Sequence, residues 1–253
     1  MIKRMRFAVY AAWWACFALM LICGFVLEIG TNETLYFELQ ARAGLPEAAG
    51  ISAADMEKLD VHLAACLRGR ADWNVEWLDP EGAAVRATVD GVERDAFNDR
   101  EIRHMEDCQR LFALLRAVRL GLAIAAALLI LLALALEWRA RPAKGISAAC
   151  LWVGSLVLCV PLAAFALWAA VDFGSAFTFF HHMLFTNDLW LLDPATDLLI
   201  RICPQSMFAN MGLRIALRAA VVLLGIPLLY TLVQAAVRRV RIRKRNANET
   251  VEL

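Results

Sequence analysis

Four uncharged apolar runs dominate the pattern of hydrophobic and polar positions in this chain. They cover residues 7–27, 120–136, 146–170 and 219–237. Each is close to the length of about 20 residues that an α-helix needs to cross a bilayer. The first run exceeds the apolar core of about 7–15 residues that is usual in a signal peptide, and no small-x-small cleavage site follows it. The pattern therefore predicts four transmembrane helices, of which the first is a retained anchor.

A different periodicity occupies the segment between the first two runs. Ser52 and Asp55 have the spacing of a capping box, and Gly69 supplies a stop signal. Between them, apolar residues recur at helical spacing at Met56, Leu59, Leu63 and Cys66. This stretch predicts one amphipathic helix.

Alternating apolar and polar residues follow that helix. One run places Trp73, Val75 and Trp77 on one face, and a second places Val85, Ala87 and Val89 on one face before Asp90-Gly91. The turn-forming sequence DPEG, residues 79–82, separates the two runs. We therefore predict a β-hairpin with its turn at DPEG.

A last non-spanning segment, residues 173–210, is rich in aromatic residues. Asn187, Asp193-Pro194 and Pro204 interrupt it, so it cannot span the bilayer, and we expect it to lie along the membrane interface. The chain then divides as follows: N-terminus and first span, 1–27; extracytoplasmic cap, 28–110; second span, 111–136; cytoplasmic loop, 137–145; third span, 146–172; interfacial segment, 173–210; fourth span, 211–237; basic tail, 238–253. The predicted fold is an all-α membrane protein with four transmembrane helices and a small α+β extracytoplasmic cap.

Composition and charge agree with this assignment. The 253 residues are 61% hydrophobic, and the mean hydropathy is +0.57, which is too apolar for a soluble domain of this size. Under the positive-inside rule the basic residues beside the spans place both termini in the cytoplasm. The predicted cytoplasmic segments then hold 12 of the 26 Lys and Arg but only 3 of the 25 Asp and Glu. The short basic tail has no fold to organise nucleic-acid contacts, so we expect no nucleic-acid partner.

The seven cysteines do not form a disulfide framework. Four lie within predicted spans, and the remaining three, Cys66, Cys108 and Cys203, allow at most one disulfide. No CxxC spacing suggests a metal site.

The sequence FNDREIRHMED, residues 97–107, contains the first candidate for chemistry. Asn98 and Glu101 have the spacing of a helix N-cap and its reciprocal partner, which is a sufficient structural explanation for both. His104 is not needed for the cap, and it shares a helical face with Asp107 and Cys108. A carboxylate one turn away can orient an imidazole, so His104 is a candidate functional residue.

The second candidate is the aromatic stretch FTFFHHMLFTNDLWLLDP, residues 177–194. It contains the adjacent pair His181 and His182, of which one member at a time can face a given site. In the predicted topology all four histidines are extracytoplasmic, and His62 is expected to be structural because it belongs to the amphipathic helix of the cap. His104 and His181 reach the same membrane surface, which favours catalysis or metal binding over incidental placement. A metal site formed by His104, Asp107 and His181 is one alternative.

Four arginines interrupt the outer ends of spans, against the positive-inside bias: Arg116, Arg119, Arg214 and Arg218. They either reach outer phosphates and the acidic cap as structural residues, or form a collar that holds a lipid-linked substrate.

Standard motifs for nucleophilic and metal catalysis are absent from the sequence. Neither GxSxG nor HExxH occurs, and no Gly-rich phosphate loop precedes a helix. Cys108 lies one turn from His104 and could act as a thiol nucleophile, although a packing role is the simpler interpretation. The titratable residues beside the spans therefore carry the functional information.

Together, the two stretches resemble the lipoprotein intramolecular transacylases, four-span bacterial membrane enzymes with an extracytoplasmic cap. FNDREIRHMED with the following QRLF resembles the family pattern FN-x-x-E-x-x-HM-x-D. FHHMLFTNDLWLLDPATDLLIRICP, residues 180–204, resembles its second pattern of aromatic-FH, LF-x-N, W, D-P, LI and P. Cys108 departs from the pattern, since an aliphatic residue is expected after Asp107, so the resemblance does not support a thiol mechanism.

The resemblance implies an acyltransferase of the bacterial cytoplasmic membrane whose partners are membrane lipids and a diacylated lipoprotein substrate. The acyl chain would move from the second glycerol position of the substrate's diacylglyceryl-cysteine to its α-amine, without a cofactor and without an acyl-enzyme. By the same resemblance the catalytic histidines are His104 and His181, and either could be the base. Residues expected to bind or position the substrate, besides the four arginines, are Asp107, Phe180, Phe185, Asn187, Trp190 and Asp193. Asn187 and Asp193 have turn formation as an alternative role, and we expect a monomer.

Other classes of function are compatible with parts of this sequence. Another lipid-acting enzyme, such as a metal-dependent hydrolase, fits the same residues, and a noncatalytic lipid-binding scaffold would hold the histidines in satisfied hydrogen bonds. A transporter is disfavoured because four spans offer no second half and lack a charged pathway.

Overall fold

The computed structural model describes residues 2–73, 85–139 and 146–251, with side chains described for residues 3–73, 85–139 and 146–246. Within those ranges, four helices are long and apolar enough to cross a membrane: Lys3–Ile29, Asp99–Arg139, Ala148–Val171 and Gln205–Asn246. Each contains or closely matches one of the four predicted apolar runs. The prediction of a mainly helical, multi-pass membrane protein is confirmed.

Two of these helices extend well beyond a bilayer. Helix α5 (Asp99–Arg139) has 41 residues and is therefore about 60 Å long, twice the thickness of the hydrocarbon core. Charged residues are frequent before Leu120, so the uncharged run 120–136 is the part suited to hydrocarbon. The last helix begins as α9 (Gln205–Ala220), widens to a π-helical turn at Val221–Gly225, and continues as α10 (Ile226–Val251). Pro227 is the second residue after that turn, and its missing N–H accounts for the local change of helix type.

The chain forms two compact units. The first contains Met1–Ile22, Leu120–Ala163 and Ala216–Leu253, and so comprises most of α1 (Ile2–Ile29) and part of α6 (Ala148–Val171). Within it, Trp14 Nε1 donates a hydrogen bond to Ser155 Oγ at 2.8 Å. A Cβ at Gly154 would lie 2.5 Å from the Ala11 carbonyl oxygen, so α1 and α6 can approach this closely only with glycine there.

The second unit contains Cys23–Arg119 and Ala164–Ile215 and carries all four histidines. Three short helices open it: α2 (Glu33–Arg42), α3 (Leu45–Ala48) and α4 (Ala53–Leu67). The Asp55 N–H donates to Ser52 Oγ at 3.0 Å, which confirms the predicted N-cap of α4. The predicted apolar face is confirmed as well, because its members are all buried in the core of this unit: Met56, Leu59, Leu63 and Cys66.

The described residues contain a hairpin whose turn lies at another place than the predicted one. The second predicted strand is present as β1 (Arg86–Val89), but it pairs antiparallel with β2 (Val92–Asp95) through a turn at Asp90-Gly91. Asp90 and Gly91 both have positive φ, at 53° and 81°, as a two-residue type I′ turn requires. The first predicted strand beyond Trp73 and the DPEG turn lie outside the described residues.

The aromatic segment is broken as predicted. It consists of α7 (Phe173–Leu184), an irregular stretch and the short α8 (Leu198–Ile202) before α9 begins. Buried Gln40 connects this segment to the small helices, since its Nε2 donates to Asp60 Oδ1 in α4 and to the Ile202 carbonyl in α8, both at 3.0 Å. The division of the chain into the eight predicted segments stays a prediction.

Candidate active site

The first turn of α5 fixes the position of His104. Asn98 Oδ1 accepts from the Glu101 N–H at 3.0 Å, and Glu101 Oε2 accepts from the Asn98 N–H at 2.8 Å, which is the predicted capping box. Because the cap sets where the helix begins, it also sets the face on which His104 lies, one turn later. His104 is buried, with 7% of its surface exposed.

The same cap holds the segment that precedes α8. Glu101 Oε1 accepts from the Leu199 N–H at 2.6 Å, and Asn98 Nδ2 donates to Asp197 Oδ1 at 2.8 Å. Asp197 Oδ2 in turn accepts from the Asp193 N–H at 2.7 Å. Burial raises the pKa of Glu101, although the hydrogen bonds from Asn98 and Leu199 oppose this. Burial would also raise the pKa of Asp197, but the hydrogen bonds it accepts from Asp193 and Asn98 outweigh that and lower it.

Asp197 is a residue that sequence reasoning missed. Its only local signal is its place directly before the apolar run that forms α8, and it makes no N-cap bond to that helix. In the fold it joins Asn98 to Asp193, and these two residues are far apart in sequence.

Helix α7 carries the second histidine. The Nδ1 of His181 lies 2.7 Å from the Phe177 carbonyl oxygen, one turn earlier, so Nδ1 is the protonated nitrogen of the neutral ring. His181 is buried, whereas its neighbour His182 is exposed. Of the adjacent pair, His181 is therefore the one that faces the interior.

The two histidines from α5 and α7 lie close together. Their ring centroids are 6.2 Å apart, with 36° between the ring planes. Phe185 contacts both, with centroid distances of 5.2 Å to His104 and 5.7 Å to His181. Burial lowers the pKa of His104 to about 4, with a smaller contribution from His181. Burial also lowers the pKa of His181, so both rings are neutral at physiological pH.

Trp190 completes the aromatic surroundings of this pair. Its ring lies 4.9 Å from that of His181 and 5.0 Å from that of His182. Within the described part of the chain, Trp190 Nε1 and His104 Nδ1 are both buried without a hydrogen-bond partner. Buried polar atoms are nearly always paired, so these two atoms at one site are available to hydrogen-bond a bound molecule.

The expected role of Asp107 differs from what the structure contains. Its carboxylate accepts from Arg110 NH1 at 2.7 Å and from Asn187 Nδ2 at 2.9 Å rather than from His104. The group that meets the His104 ring is Cys108, whose Sγ lies 3.7 Å from Nε2. The i+4 position points more directly at the imidazole than i+3 does here, and Asp107 is drawn to its two other partners.

Asn187 and Asp193 both form turns. Asn187 Oδ1 accepts from the Leu189 N–H at 3.2 Å, and Asp193 Oδ1 accepts from the Ala195 N–H at 2.9 Å. The alternative that these residues shape the backbone therefore has direct support. Phe180 lies beside His181, with centroids 5.8 Å apart, but 42% of its surface is exposed.

Two of the four arginines have partners in the short helices α4 and α2. Arg116 NH1 donates to the Leu67 carbonyl oxygen at the end of α4, at 2.9 Å, and Arg214 lies 3.7 Å from the Glu38 carboxylate. The Arg119 guanidinium lies beside Gly24 of α1, and Arg218 belongs to the first unit. These contacts favour structural roles for Arg116 and Arg214, and a substrate-holding collar stays a prediction.

In the described part of the chain, neither the thiol mechanism nor the metal site has a suitable arrangement of residues. All seven cysteines are free thiols, and burial raises the pKa of Cys108 to about 12, so its thiol stays protonated. Among the described side chains, no three His, Cys, Asp or Glu residues come together in an arrangement that could hold a metal ion.

Comparisons with known proteins identify the family and the fold. The family model described as "Lipoprotein intramolecular transacylase Lit" matches residues 11–208. The structure is similar to that of the membrane-integral lipoprotein intramolecular transacylase from Bacillus cereus, with a TM-score of 0.70 and 19% identity over 95% of this chain and 99% of that one. Two structures of that protein with a histidine replaced by arginine or by alanine each give a TM-score of 0.66 at 18% identity. They cover 95% of this chain and 96% and 97% of theirs, respectively.

No curated protein matches the sequence. The family model nevertheless extends over most of the chain, including α5 with His104 and α7 with His181. The chain therefore belongs to the lipoprotein intramolecular transacylase family, and it is a membrane-integral acyltransferase.

Proposed function

We propose that this enzyme moves the acyl chain from the second glycerol position of a diacylglyceryl-cysteine lipoprotein to the α-amine of the same cysteine, on the extracytoplasmic side of the membrane. One observation carries the proposal, namely that the neutral rings of His104 and His181 lie 6.2 Å apart in a buried aromatic cluster. Transfer from an ester to an amine needs a proton acceptor for the amine and a donor for the carbonyl oxygen. Two neutral imidazoles can supply both.

His181 is the proposed base. Because its Nδ1–H donates to the Phe177 carbonyl, the lone pair of the neutral ring is on Nε2. Its lowered pKa keeps that lone pair free throughout the neutral pH range. The substrate amine, with an ordinary pKa of about 7.7–8.0, then has an acceptor for the proton it must lose.

His104 is the proposed donor to the carbonyl oxygen. The Cys108 thiol remains protonated and lies 3.7 Å from Nε2 of His104, so its S–H is placed to donate to that nitrogen. A neutral ring that accepts at Nε2 carries its proton on Nδ1, the buried atom without a partner among the described residues. Nδ1–H is then available to the negative charge that develops on the substrate.

The reaction balances without a covalent enzyme intermediate. The amine attacks the ester carbonyl carbon, the C–N bond forms, and the amine proton passes to Nε2 of His181. Negative charge on the former carbonyl oxygen is stabilised by Nδ1–H of His104. When the tetrahedral intermediate collapses, the C–O bond breaks and the glyceryl oxygen takes the proton back from His181. Amine and ester belong to one molecule, so the enzyme's main task is to hold them in contact and exclude water.

Product analysis tests the acyl transfer directly. The purified full-length protein in detergent would be incubated with a synthetic diacylated lipopeptide, and the product fragmented in a mass spectrometer. We expect an unchanged mass with one acyl chain relocated to the N-terminal amine. Release of free fatty acid would instead identify a hydrolase, and an unaltered lipopeptide would contradict the proposal.

Single substitutions test the histidine roles. We expect His104→Ala and His181→Ala each to reduce kcat by about 10²–10⁴, the usual contribution of acid–base and oxyanion groups. His182→Ala is the matched control, because the adjacent exposed ring should be dispensable. Full activity in a well-folded His104 or His181 variant would contradict the mechanism.

A further inference from the structure

The indole of Trp190 has an unexplained hydrogen-bonding group beside the histidine pair. Its side chain is 8% exposed, and Nε1–H is buried without a partner among the described residues. An indole nitrogen can only donate, and leaving it unpaired in the interior costs about 1–3 kcal/mol. The Nε1–H is therefore available to an acceptor on a bound substrate.

The loop before Trp190 holds the indole in place without supplying a hydrogen-bond acceptor for its Nε1–H. Asn187 connects this loop to α5 through Asp107, at 2.9 Å, and Arg100 NH2 donates to the Asp188 carbonyl at 2.5 Å. These two contacts attach the loop to α5 on either side of His104 in the sequence. The indole is therefore fixed relative to His104 as well as to His181.

Ring geometry decides which neighbours the N–H can reach. The indole and His181 planes are tilted by 32° with a centroid distance of 4.9 Å, so the His181 ring lies to one side of the indole plane and is not the natural acceptor for an N–H in that plane. His182 meets the indole at 87° and 5.0 Å, which leaves an N–H contact with the His182 ring as the competing explanation. An exposed imidazole ring is a weak acceptor compared with an oxyanion.

We propose that Nε1–H of Trp190 is a catalytic hydrogen-bond donor to the substrate oxygen that becomes negatively charged in the transition state. It acts together with Nδ1–H of His104, so that two neutral donors from two segments converge on one oxygen while Nε2 of His181 moves the proton. The inference rests on the proposed O-to-N acyl transfer. It adds a donor that no titration can switch off, because the indole N–H does not ionise near neutral pH.

The test separates the N–H from the ring. Site-specific incorporation of 3-benzothienylalanine at position 190 replaces N–H with sulfur in a ring of nearly the same shape, and Trp190→Phe gives a simpler second variant. We expect kcat to fall at least tenfold, towards the 10²–10³ typical of a lost oxyanion donor, with KM nearly unchanged. Trp168→Phe is the matched control, since Trp168 packs against Phe179 of the same helix α7, at 5.2 Å, without contacting either histidine of the pair.

One further measurement separates the proposed role from a contact between the N–H and the His182 ring. The benzothienyl variant should lose the same factor in a His182→Ala background, because the role of the N–H does not depend on that ring. An unchanged kcat, or a rise in KM alone, would overturn the inference and leave Trp190 as pocket lining. Failure of the proposed function would look different, since the wild-type protein itself would then not relocate the acyl chain.

Discussion

Two helices of the second unit contain the same pair of side chains at the same spacing. In α4, His62 Nε2 lies 3.4 Å from Cys66 Sγ, and in α5, His104 Nε2 lies 3.7 Å from Cys108 Sγ. The surroundings differ. His62 is 2% exposed inside the hydrophobic core, with the Trp73 ring 6.3 Å away, whereas His104 faces a second histidine and Phe185.

This contrast shows that the chemistry available to a histidine depends on which distant segment packs against it. The i, i+4 spacing brings a thiol to an imidazole on any helix. Among the described residues, His104 rather than His62 has a second histidine ring nearby, because α7 places His181 at a centroid distance of 6.2 Å. The pair in α4 supports the fold, and the pair in α5 is the one suited to catalysis.

The largest expected difference between the two pairs is in turnover. His181→Asn keeps a donor that can reach the Phe177 carbonyl but lacks the Nε2 base, so kcat should fall by about 10²–10⁴. His62→Asn should leave kcat of the folded protein unchanged, because His62 is enclosed in the core. Initial rates with the lipopeptide, normalised to folded protein, measure both. Equal losses in the two variants would remove the distinction.

Stability should show the reverse order. His62→Ala creates a cavity in the packed core and breaks the contact with Cys66, which should cost about 1–3 kcal/mol in the free energy of unfolding. His104→Leu removes an unpaired buried nitrogen and should cost little or nothing. Thermal unfolding in detergent compares the two. The comparison fails if His104→Leu is the more destabilised variant.

Acid should destabilise the α5 site specifically. The folded-state pKa of His104 is about 4, below its ordinary 6.5, so the unfolded chain binds the extra proton first and stability is lost as pH falls from about 6.5 through 4. His104→Asn should flatten this limb of the stability profile, measured as melting temperature against pH.

The opposite dependence of stability on pH is expected for a carboxyl group in α4. Burial raises the pKa of Asp60 to about 7 from an ordinary 3.8, so the stability it contributes is present in acid and is lost as pH rises through about 7. Asp60→Asn should remove this second limb while leaving the first. A variant at either position that changed both limbs would show that the two helices do not titrate independently.

The smallest effect is expected from the two thiols. Cys108→Ala removes the donor that is proposed to set the His104 tautomer. Because a sulfur hydrogen bond is weak, kcat should fall by a few-fold and by less than about tenfold. Cys108→Ser should restore activity, because a hydroxyl also donates. Cys66→Ala is the matched control in α4 and should leave kcat unchanged. If Cys108→Ala has wild-type kcat, another group sets the tautomer.

Much of the fold could be predicted because its signals are local. The capping residues Ser52 and Asn98 contact groups within three residues of themselves, and the sequence spacing states those contacts directly. The turn of the β1–β2 hairpin is local in the same way, because Asp90-Gly91 is a strong two-residue turn sequence. The hairpin expected around DPEG stays a prediction.

The candidate site could be predicted only in part, because some of its contacts join side chains that are distant in sequence. The motifs singled out His104 and His181, but the role of Asp107 as a partner of Asn187 and Arg110 depends on side chains that compete for it in space. Asp197 had no diagnostic spacing for its contact with Asn98, because the two residues are 99 positions apart in sequence.

The sequence by itself determined the four membrane-crossing helices, the starts of α4 and α5, and the family to which the chain belongs, because apolar run length, caps and motifs are written in neighbouring residues. Only the tertiary structure decided that His181 rather than His182 turns inward, that Cys108 meets the His104 ring, and that Nδ1 of His104 and Nε1 of Trp190 are left unpaired within the described chain. The physical reason is that hydrogen-bond satisfaction is a property of atoms within about 3 Å of each other. Which atoms reach that distance depends on how separate helices pack.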